Sequence, residues 1–173
     1  GTSVPRLDGA EKVTGEAVFA DDFQFGPNLL HGRVVRSPHP HALILNIDTR
    51  RAMDLPGVRA VVTGADSEEH IGLYLKDRFI FCRDRARFVG DPVAGVIAVD
   101  EETAARACAL IEVQYEVLDP VLDPIQGAQP DAPLLHPDLG SYVRAGFIDP
   151  QPGSNIANYF RVRKGDVEAA WDQ

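Results

Sequence analysis

The segment RSPHPHALI, residues 36–44, is the part of the sequence that most readily suggests chemistry, because it holds two of the five histidines. On an extended backbone, side chains two positions apart point the same way, so His39 and His41 could both reach one metal ion. A zinc site needs a third or fourth ligand. The nearest candidates in sequence are His31, Asp22 and Asp48. The alternative is a loop stiffened by Pro38 and Pro40, whose histidines bind backbone groups or a neighbouring domain.

Other patterns that could carry chemistry are weaker than this histidine pair. The glycines of GAEKVTGEA have five residues between them, and no Gly-Lys-Ser or Gly-Lys-Thr follows, as a phosphate-binding loop requires. Adjacent acidic pairs such as Asp21–Asp22 do not face each other across a substrate. Cys82 and Cys108 are the two cysteines, whereas iron–sulfur and structural zinc sites usually take four ligands. The residues themselves therefore name no catalytic, cofactor-binding or metal-ligating centre.

Composition describes a globular chain with an acidic surface. The 173 residues are 45% hydrophobic and 25% charged, which are ordinary values for a folded domain. A net charge of −9 disfavours nucleic acid as a partner, because an acidic surface repels phosphate backbones. The longest apolar run, residues 92–99, is shorter than the roughly 18 residues of a membrane span. No disulfide framework is indicated, so a reducing, cytoplasmic compartment is expected.

Basic residues gather in KDRFIFCRDRARF, residues 76–88. The alternation of Arg83, Arg85 and Arg87 predicts one face of a strand. That face is either solvated or a docking patch for an acidic partner, and the sequence leaves both interpretations open.

Apolar periodicity predicts the elements that position these residues. Strands are predicted in EAVFADD, LLHGRVVR, ALILNID and VRAVVTG, with a short helix in TRRAMDL that has Thr49 as its N-cap. The run VAGVIAV, residues 93–99, is typical of a strand covered on both faces. Asp100 is predicted to cap the helix EETAARACALI, and EVQYEVL alternates as a strand. Strand, helix and strand within about thirty residues predict a crossover unit.

Composition also divides the chain into three parts. Residues 1–118 are predicted to form the domain core. Residues 119–156 hold seven of the 13 prolines and are expected to cross the surface as an arm. Residues 157–173 are expected to form a strand, with Phe160 and Val162 on one face, and then the start of a helix. That helix has no C-terminal stop signal, which predicts a further, downstream domain.

Several blocks of the sequence, in this order and spacing, resemble one protein family. They are RLDGAEKVTGEAVFADD, LHGRVVRSPHPHALILNIDTRRAMDLPGVRAVVTGAD, RFVGDPVAGVIAVDEETAARACALIEVQYEVLDPVLD and KGDVEAAW. Together they resemble the amino-terminal α/β-hammerhead domain of the molybdenum-binding large subunit in the xanthine dehydrogenase/aldehyde oxidase family. Bacterial members related to 4-hydroxybenzoyl-CoA reductase are particularly similar. The resemblance implies an α+β fold: a mixed sheet with a strand–helix–strand crossover and a few short helices.

The resemblance further implies an oxidoreductase. In the family, a molybdenum ion held by a pyranopterin supports hydroxylation at carbon, or the related reduction, of purine, aldehyde, N-heterocycle or aromatic acyl-CoA substrates. Two [2Fe–2S] clusters pass electrons to FAD or another acceptor. The pterin-binding loops and the catalytic glutamate lie downstream of the hammerhead domain. No catalytic, cofactor-binding or metal residue is therefore carried over to this chain, which is expected to be inactive alone. The implied partners are the downstream molybdenum-binding domain and the iron–sulfur and FAD subunits.

For the histidine segment, the resemblance favours a role in the scaffold. We expect Arg36, His39 and His41 to help dock the domain against another domain or subunit. Two alternatives remain open at this stage. One is a stand-alone module that binds a protein through its proline-rich arm, and the other is a small protein with a metal site at His39 and His41.

Overall fold

The computed structural model describes residues 1–23, 25–162 and 164–171. The chain forms two compact units, residues 1–30 and residues 31–173. Within the described ranges, no helix is long and apolar enough to cross a lipid bilayer.

The amino-terminal unit contains two short helical segments. Helix α1, Gly9–Thr14, ends at Gly15, whose φ of 79° lies in the left-handed region that favours glycine. A 3₁₀ turn, Ala20–Asp22, follows, and the Phe19 amide donates a hydrogen bond of 2.8 Å to the Asp22 carboxylate. The strand predicted in EAVFADD is wrong, because the Asp22 side chain satisfies a backbone amide locally and thereby favours a turn over a sheet ladder.

The larger unit is built from short strands and helices. In its described part the strands are β1 (His31–Arg36), β2 (Ala42–Asp48), β3 (Val58–Thr63), β4 (Arg85–Ala86), β5 (Pro92–Ala98) and β6 (Glu112–Val117). The helices are α2 (Arg50–Met53), α3 (Glu101–Leu110), α4 (Pro124–Gly127) and α5 (Val167–Trp171), with a 3₁₀ turn at Gly64–Asp66. Helix α2 begins after Thr49 as predicted, although its first amide, from Arg50, donates to the Asp48 carboxylate at 3.1 Å.

The strands form two three-stranded sheets, ordered β1-β5-β3 and β4-β2-β6. Every pairing in them is antiparallel, so the mixed sheet expected from the sequence is wrong. The predicted crossover is also wrong, because α3 leads from β5 in one sheet to β6 in the other. Strand β5 is bonded to β1 on one edge and to β3 on the other. Both of its edges are therefore occupied, and β6 pairs with β2 instead.

The core of the larger unit is made mostly of small side chains. Its buried members are Ala52, Ala94, Val96, Ala107 and Ile111. The alanines on α3 and β5 allow the helix and the sheet to approach closely, because they place only a methyl group between the two backbones. The Asp100 carboxylate accepts a hydrogen bond of 2.6 Å from the Thr103 amide, which caps α3 as predicted.

The proline-rich arm and the segment after it have little regular structure. Within residues 119–156, only α4 is regular, with the Asp123 carboxylate accepting from the Ile125 amide at 2.7 Å. The strand predicted around Phe160 and Val162 is not formed in residues 157–162. Both side chains are largely exposed, so a strand there would bury no apolar face. Helix α5 begins where the sequence predicts it, while the parts of that prediction at 163 and 172–173 lie outside the described residues.

Substitution of Gly64 tests how closely two loops of the larger unit approach each other. A methyl group at Gly64 would overlap the backbone carbonyl of Cys82, and a backbone group cannot rotate away. We expect Gly64→Ala to lower the free energy of unfolding by about 1–3 kcal/mol, measured by urea denaturation. Gly146→Ala is the matched control, because nothing lies within 4 Å of its added methyl group. Equal losses in the two variants would contradict the close approach at Gly64.

Candidate functional site

The segment between β1 and β2 forms a rigid corner that links the two sheets. Ser37 Oγ donates to the His39 carbonyl at 3.0 Å and accepts from the His39 amide at 3.1 Å. The Ser37 backbone bonds to Gly90 and Asp91, with distances of 2.8 and 2.9 Å. Arg36 Nη1 also donates to the Gly90 carbonyl, at 2.9 Å. The corner is therefore fixed from within by a side chain and from outside by the turn that precedes β5.

His41 lies at the end of this corner and is only 2% exposed. Its Nδ1 atom is 2.8 Å from the carbonyl oxygen of Asp119, and its Nε2 atom is 3.1 Å from Nη1 of Arg85. A guanidinium group can only donate, so Nε2 accepts and Nδ1 carries the proton that bonds the carbonyl. The geometry thus assigns the neutral, Nδ1-protonated tautomer. We call these three residues the His41 clasp.

The clasp excludes His41 as a ligand in the alternative metal site, because both ring nitrogens are already bonded within the chain. His39 is half-buried and packs its ring edge-on against Tyr115, with centroids 5.0 Å apart. In the ranges 1–23, 25–162 and 164–171, no three His, Cys, Asp or Glu side chains come together as a metal site. Of the three residues predicted to dock, Arg36 is exposed and His39 partly so, whereas His41 has no ring atom free to contact a partner directly.

Two arginines of the basic segment, Arg85 and Arg87, bind the proline-rich arm of this same chain. Arg85 Nη1 donates to the Leu134 carbonyl at 3.3 Å, and Arg87 Nε donates to the Leu135 carbonyl at 2.8 Å. Strand β4 is only two residues long, so the predicted strand face is much shorter than the alternation suggested. The sequence gives no sign of these contacts, because a backbone carbonyl nearly fifty residues away leaves no side-chain pattern.

Asn155, near the end of the arm, forms hydrogen bonds to earlier residues of the arm. Its Oδ1 accepts from the Leu135 amide at 2.9 Å, and its Nδ2 donates to the carbonyls of Gly127 and Pro133 at 3.0 and 2.9 Å. One amide side chain therefore joins three points of an irregular segment. Throughout the described part of the chain, no buried side-chain nitrogen or oxygen lacks a hydrogen-bond partner.

A cavity of about 230 Å³ lies where the arm meets the loops on either side of β4. Cys82 and Asp91 line it from the domain, and Leu135 and His136 line it from the arm. Burial, together with the charge of Asp91, raises the pKa of Cys82 to about 12. Burial and the nearby Arg87 lower the pKa of His136. Cys82 therefore stays a thiol, which is a poor nucleophile, and the geometry does not support covalent catalysis in this cavity.

Comparisons with known proteins show the family of the chain. Residues 14–119 match the family described as aldehyde oxidase and xanthine dehydrogenase, a/b hammerhead domain. The chain is similar to a probable xanthine dehydrogenase subunit from Bacillus subtilis, with 41% identity over 144 residues, which are 82% of this chain and 19% of that protein.

Two solved structures share the fold. One is Cu,Mo-CO dehydrogenase, with a TM-score of 0.69 and 35% identity over 78% of this chain and 17% of that chain. The other is the aldehyde oxidoreductase from Desulfovibrio gigas, with a TM-score of 0.69 and 29% identity over 78% of this chain and 16% of that chain. The α/β-hammerhead fold predicted from the sequence is confirmed, in the form of two antiparallel sheets. The chain spans less than a fifth of the length of each of these three proteins.

Removal of the His41 ring tests the clasp. We expect His41→Ala to lower the free energy of unfolding by about 2–3 kcal/mol, because a half-buried guanidinium and a carbonyl would each lose one hydrogen bond and a void would remain. Urea denaturation measures the loss. His39→Ala is the matched control, since that ring makes a packing contact and is not buried to the same degree. The clasp would be refuted if both variants lost the same small amount.

The lowered pKa of His136 predicts a dependence of stability on pH. The folded chain binds the His136 proton at a lower pH than the unfolded chain, whose pKa is near 6.5. The stability that comes from keeping this ring neutral is thus complete above pH 6.5 and is lost as the pH falls through the folded-state pKa. We expect the free energy of unfolding to fall more steeply between pH 7 and pH 5 in the native chain than in His136→Gln. Parallel pH profiles would show that His136 titrates alike in both states.

Proposed function

The chain belongs to the aldehyde oxidase and xanthine dehydrogenase family as its a/b hammerhead domain, and from that membership we propose that it supports the large subunit of a molybdenum-dependent oxidoreductase. The observation that carries the proposal is the likeness to Cu,Mo-CO dehydrogenase, which extends over 78% of this chain but only 17% of that one. A domain that fills so small a share of its relatives is expected to serve an active site built elsewhere. We therefore propose that this chain is part of a longer subunit.

The residues of this chain do not offer a site for the cofactors that the family implies. A [2Fe–2S] cluster is usually held by four cysteines, and the sequence has two, Cys82 and Cys108. The buried histidine that could have served a metal, His41, is bonded through both nitrogens. We propose that the molybdenum–pyranopterin lies on the downstream domain, with the clusters and FAD or another acceptor on other domains or subunits.

The proposed reaction is the oxidation or reduction of a carbon centre in a purine, aldehyde, N-heterocycle or aromatic acyl-CoA substrate. The names of two relatives, a probable xanthine dehydrogenase subunit and an aldehyde oxidoreductase, support the purine and aldehyde classes. This chain contributes support and no reacting group. The cytoplasm is the proposed compartment, since Cys82 and Cys108 are both free thiols and a reducing environment maintains them.

An exposed apolar surface supports the proposal that another domain covers this one. Leu73, Tyr74 and Phe147 are 85%, 54% and 66% exposed. The Tyr74 and Phe147 rings pack against each other with centroids 5.4 Å apart, and the Ala145 amide donates to the Tyr74 carbonyl at 2.8 Å. Large apolar side chains held together at a surface are typical of an interface. We propose the downstream molybdenum-binding domain as the partner that buries them.

The proposed function can be tested on the native protein that contains this sequence. We expect a polypeptide several times longer than 173 residues, purified with stoichiometric molybdenum and able to oxidise an aldehyde or a purine with an artificial electron acceptor. A native polypeptide that ends at Gln173 and binds no molybdenum in any assembly would contradict the proposal.

The docking role predicted for Arg36 and His39 yields a separate test in the same enzyme. We expect Arg36→Ala and His39→Ala to reduce the recovery of the assembled enzyme, measured by co-purification of its subunits, because both side chains reach the surface of the corner. Arg51→Ala is the control, since Arg51 forms an exposed ion pair of 2.8 Å with Glu112 away from the corner. Unchanged assembly in the first two variants would exclude docking, and loss of metal from an intact assembly would instead indicate a ligand role.

A further inference from the structure

The segment 130–142 within the arm, here called the strap, lies outside the apolar core of the larger unit. The five buried core residues and the side chains packed on them come from positions 35–113. The strap itself has no helix or strand. Leu139 is the one hydrophobic side chain fully buried within it. Leu134, Leu135 and Tyr142 are half-buried, so apolar burial holds the strap less firmly than it holds the core.

Four hydrogen bonds attach the strap at adjoining residues. Arg85 and Arg87 donate to the carbonyls of Leu134 and Leu135. Asn155 accepts from the Leu135 amide and donates to the Pro133 carbonyl. The four bonds attach to three successive residues of the strap, Pro133 to Leu135. Loss of one bond therefore lets the neighbouring backbone shift, and the other bonds lengthen. Water can replace each of them, so their net contribution to closure is modest.

The closed strap covers the cavity that contains Cys82. Leu135 and His136 form the side of the cavity contributed by the strap, and Cys82 is only 5% exposed. Cys108 lies on α3, is half-buried, and is not among the residues that line this cavity. Cys82 also lines a second cavity, which contains Gly64 and no strap residue. The labelling of Cys82 therefore reports on the strap through its response to strap variants, while Cys108 reports on the sheet–helix core.

We infer that the strap opens as a unit while the two sheets remain folded, and that each opening exposes the Cys82 cavity to solvent. Segments held by few contacts open at free energies well below that of global unfolding. Pro130, Pro133 and Pro137 lie within the strap, and their fixed φ angles favour movement of a stiff segment over local fraying. This inference stands independently of the proposed enzymatic role.

The test compares the labelling rate of Cys82 with hydrogen exchange in β5. In the full chain, we expect N-ethylmaleimide to label Cys82 at a rate that depends only weakly on low urea concentrations. Exchange of the β5 amides should rise steeply with urea, because that exchange requires global exposure of surface. If Cys82 labelling and β5 exchange shared one urea dependence, Cys82 would be reached only by global unfolding and the inference would fail.

Substitution of Asn155 provides the second arm of the test. We expect Asn155→Ala to accelerate Cys82 labelling by about 10- to 100-fold, with Cys108 labelling and β5 exchange unchanged. Asn158→Ala is the matched control, because that amide accepts from the Asp149 backbone at 2.8 Å, outside the strap, and it should leave the rate at Cys82 unaltered. Hydrogen exchange at the Leu135 amide cannot report on opening in this variant, because Asn155→Ala removes the hydrogen-bond acceptor of that amide directly.

Each remaining outcome of the Asn155 experiment bears on the inference. An unchanged Cys82 rate in Asn155→Ala would overturn it. Loss of the folded sheets in that variant, seen by circular dichroism, would also overturn it, because the strap would then be inseparable from the domain. Asn155→Asp retains the acceptor for the Leu135 amide but loses the donor to Pro133, and an intermediate acceleration is expected for it.

Discussion

The buried imidazole of His41 joins parts of the larger unit that are far apart in sequence. One ring nitrogen donates to the Asp119 carbonyl just beyond β6, and the other accepts from Arg85 on β4. Arg85 in turn donates to the Leu134 carbonyl on the arm. The ring therefore fixes β2, β4 and the first residue of the arm relative to one another. Because a buried polar group without a partner is costly, each member of the clasp depends on the others.

The second constraint on the fold is the full occupation of β5. With β1 and β3 on its two edges, this strand forces β6 into a second sheet, and the corner after β1 must then carry the chain from one sheet to the other. Ser37 and the turn at Gly90 and Asp91 hold that corner. The larger unit is thus fixed at its centre and attaches the arm through polar contacts, which is consistent with the supporting role proposed above.

Local features of the sequence were sufficient to predict local structure. The apolar run at β5, the alternation at β6 and the cap at Asp100 each depend on neighbours within a few residues, and each was found where expected. The sheet to which β6 belongs was not predictable in this way, since period-2 alternation shows which face is buried but not which strand is adjacent. The clasp was not predictable for a different reason. The partners of His41 and Arg85 include backbone carbonyls, which every residue carries and which leave no mark in the sequence. The expectation that the histidine segment serves a scaffold came from the family resemblance and not from the pattern of the residues.

The tautomer of His41 is the most direct measure of whether the clasp exists as described. In a chain labelled with ¹⁵N at histidine, long-range ¹H–¹⁵N correlation spectra at neutral pH distinguish a protonated ring nitrogen from an unprotonated one. The clasp requires a protonated Nδ1 and an unprotonated Nε2 on His41, with a slowly exchanging Nδ1 proton. A protonated Nε2 would contradict it, because that atom could not then accept the hydrogen bond from Arg85.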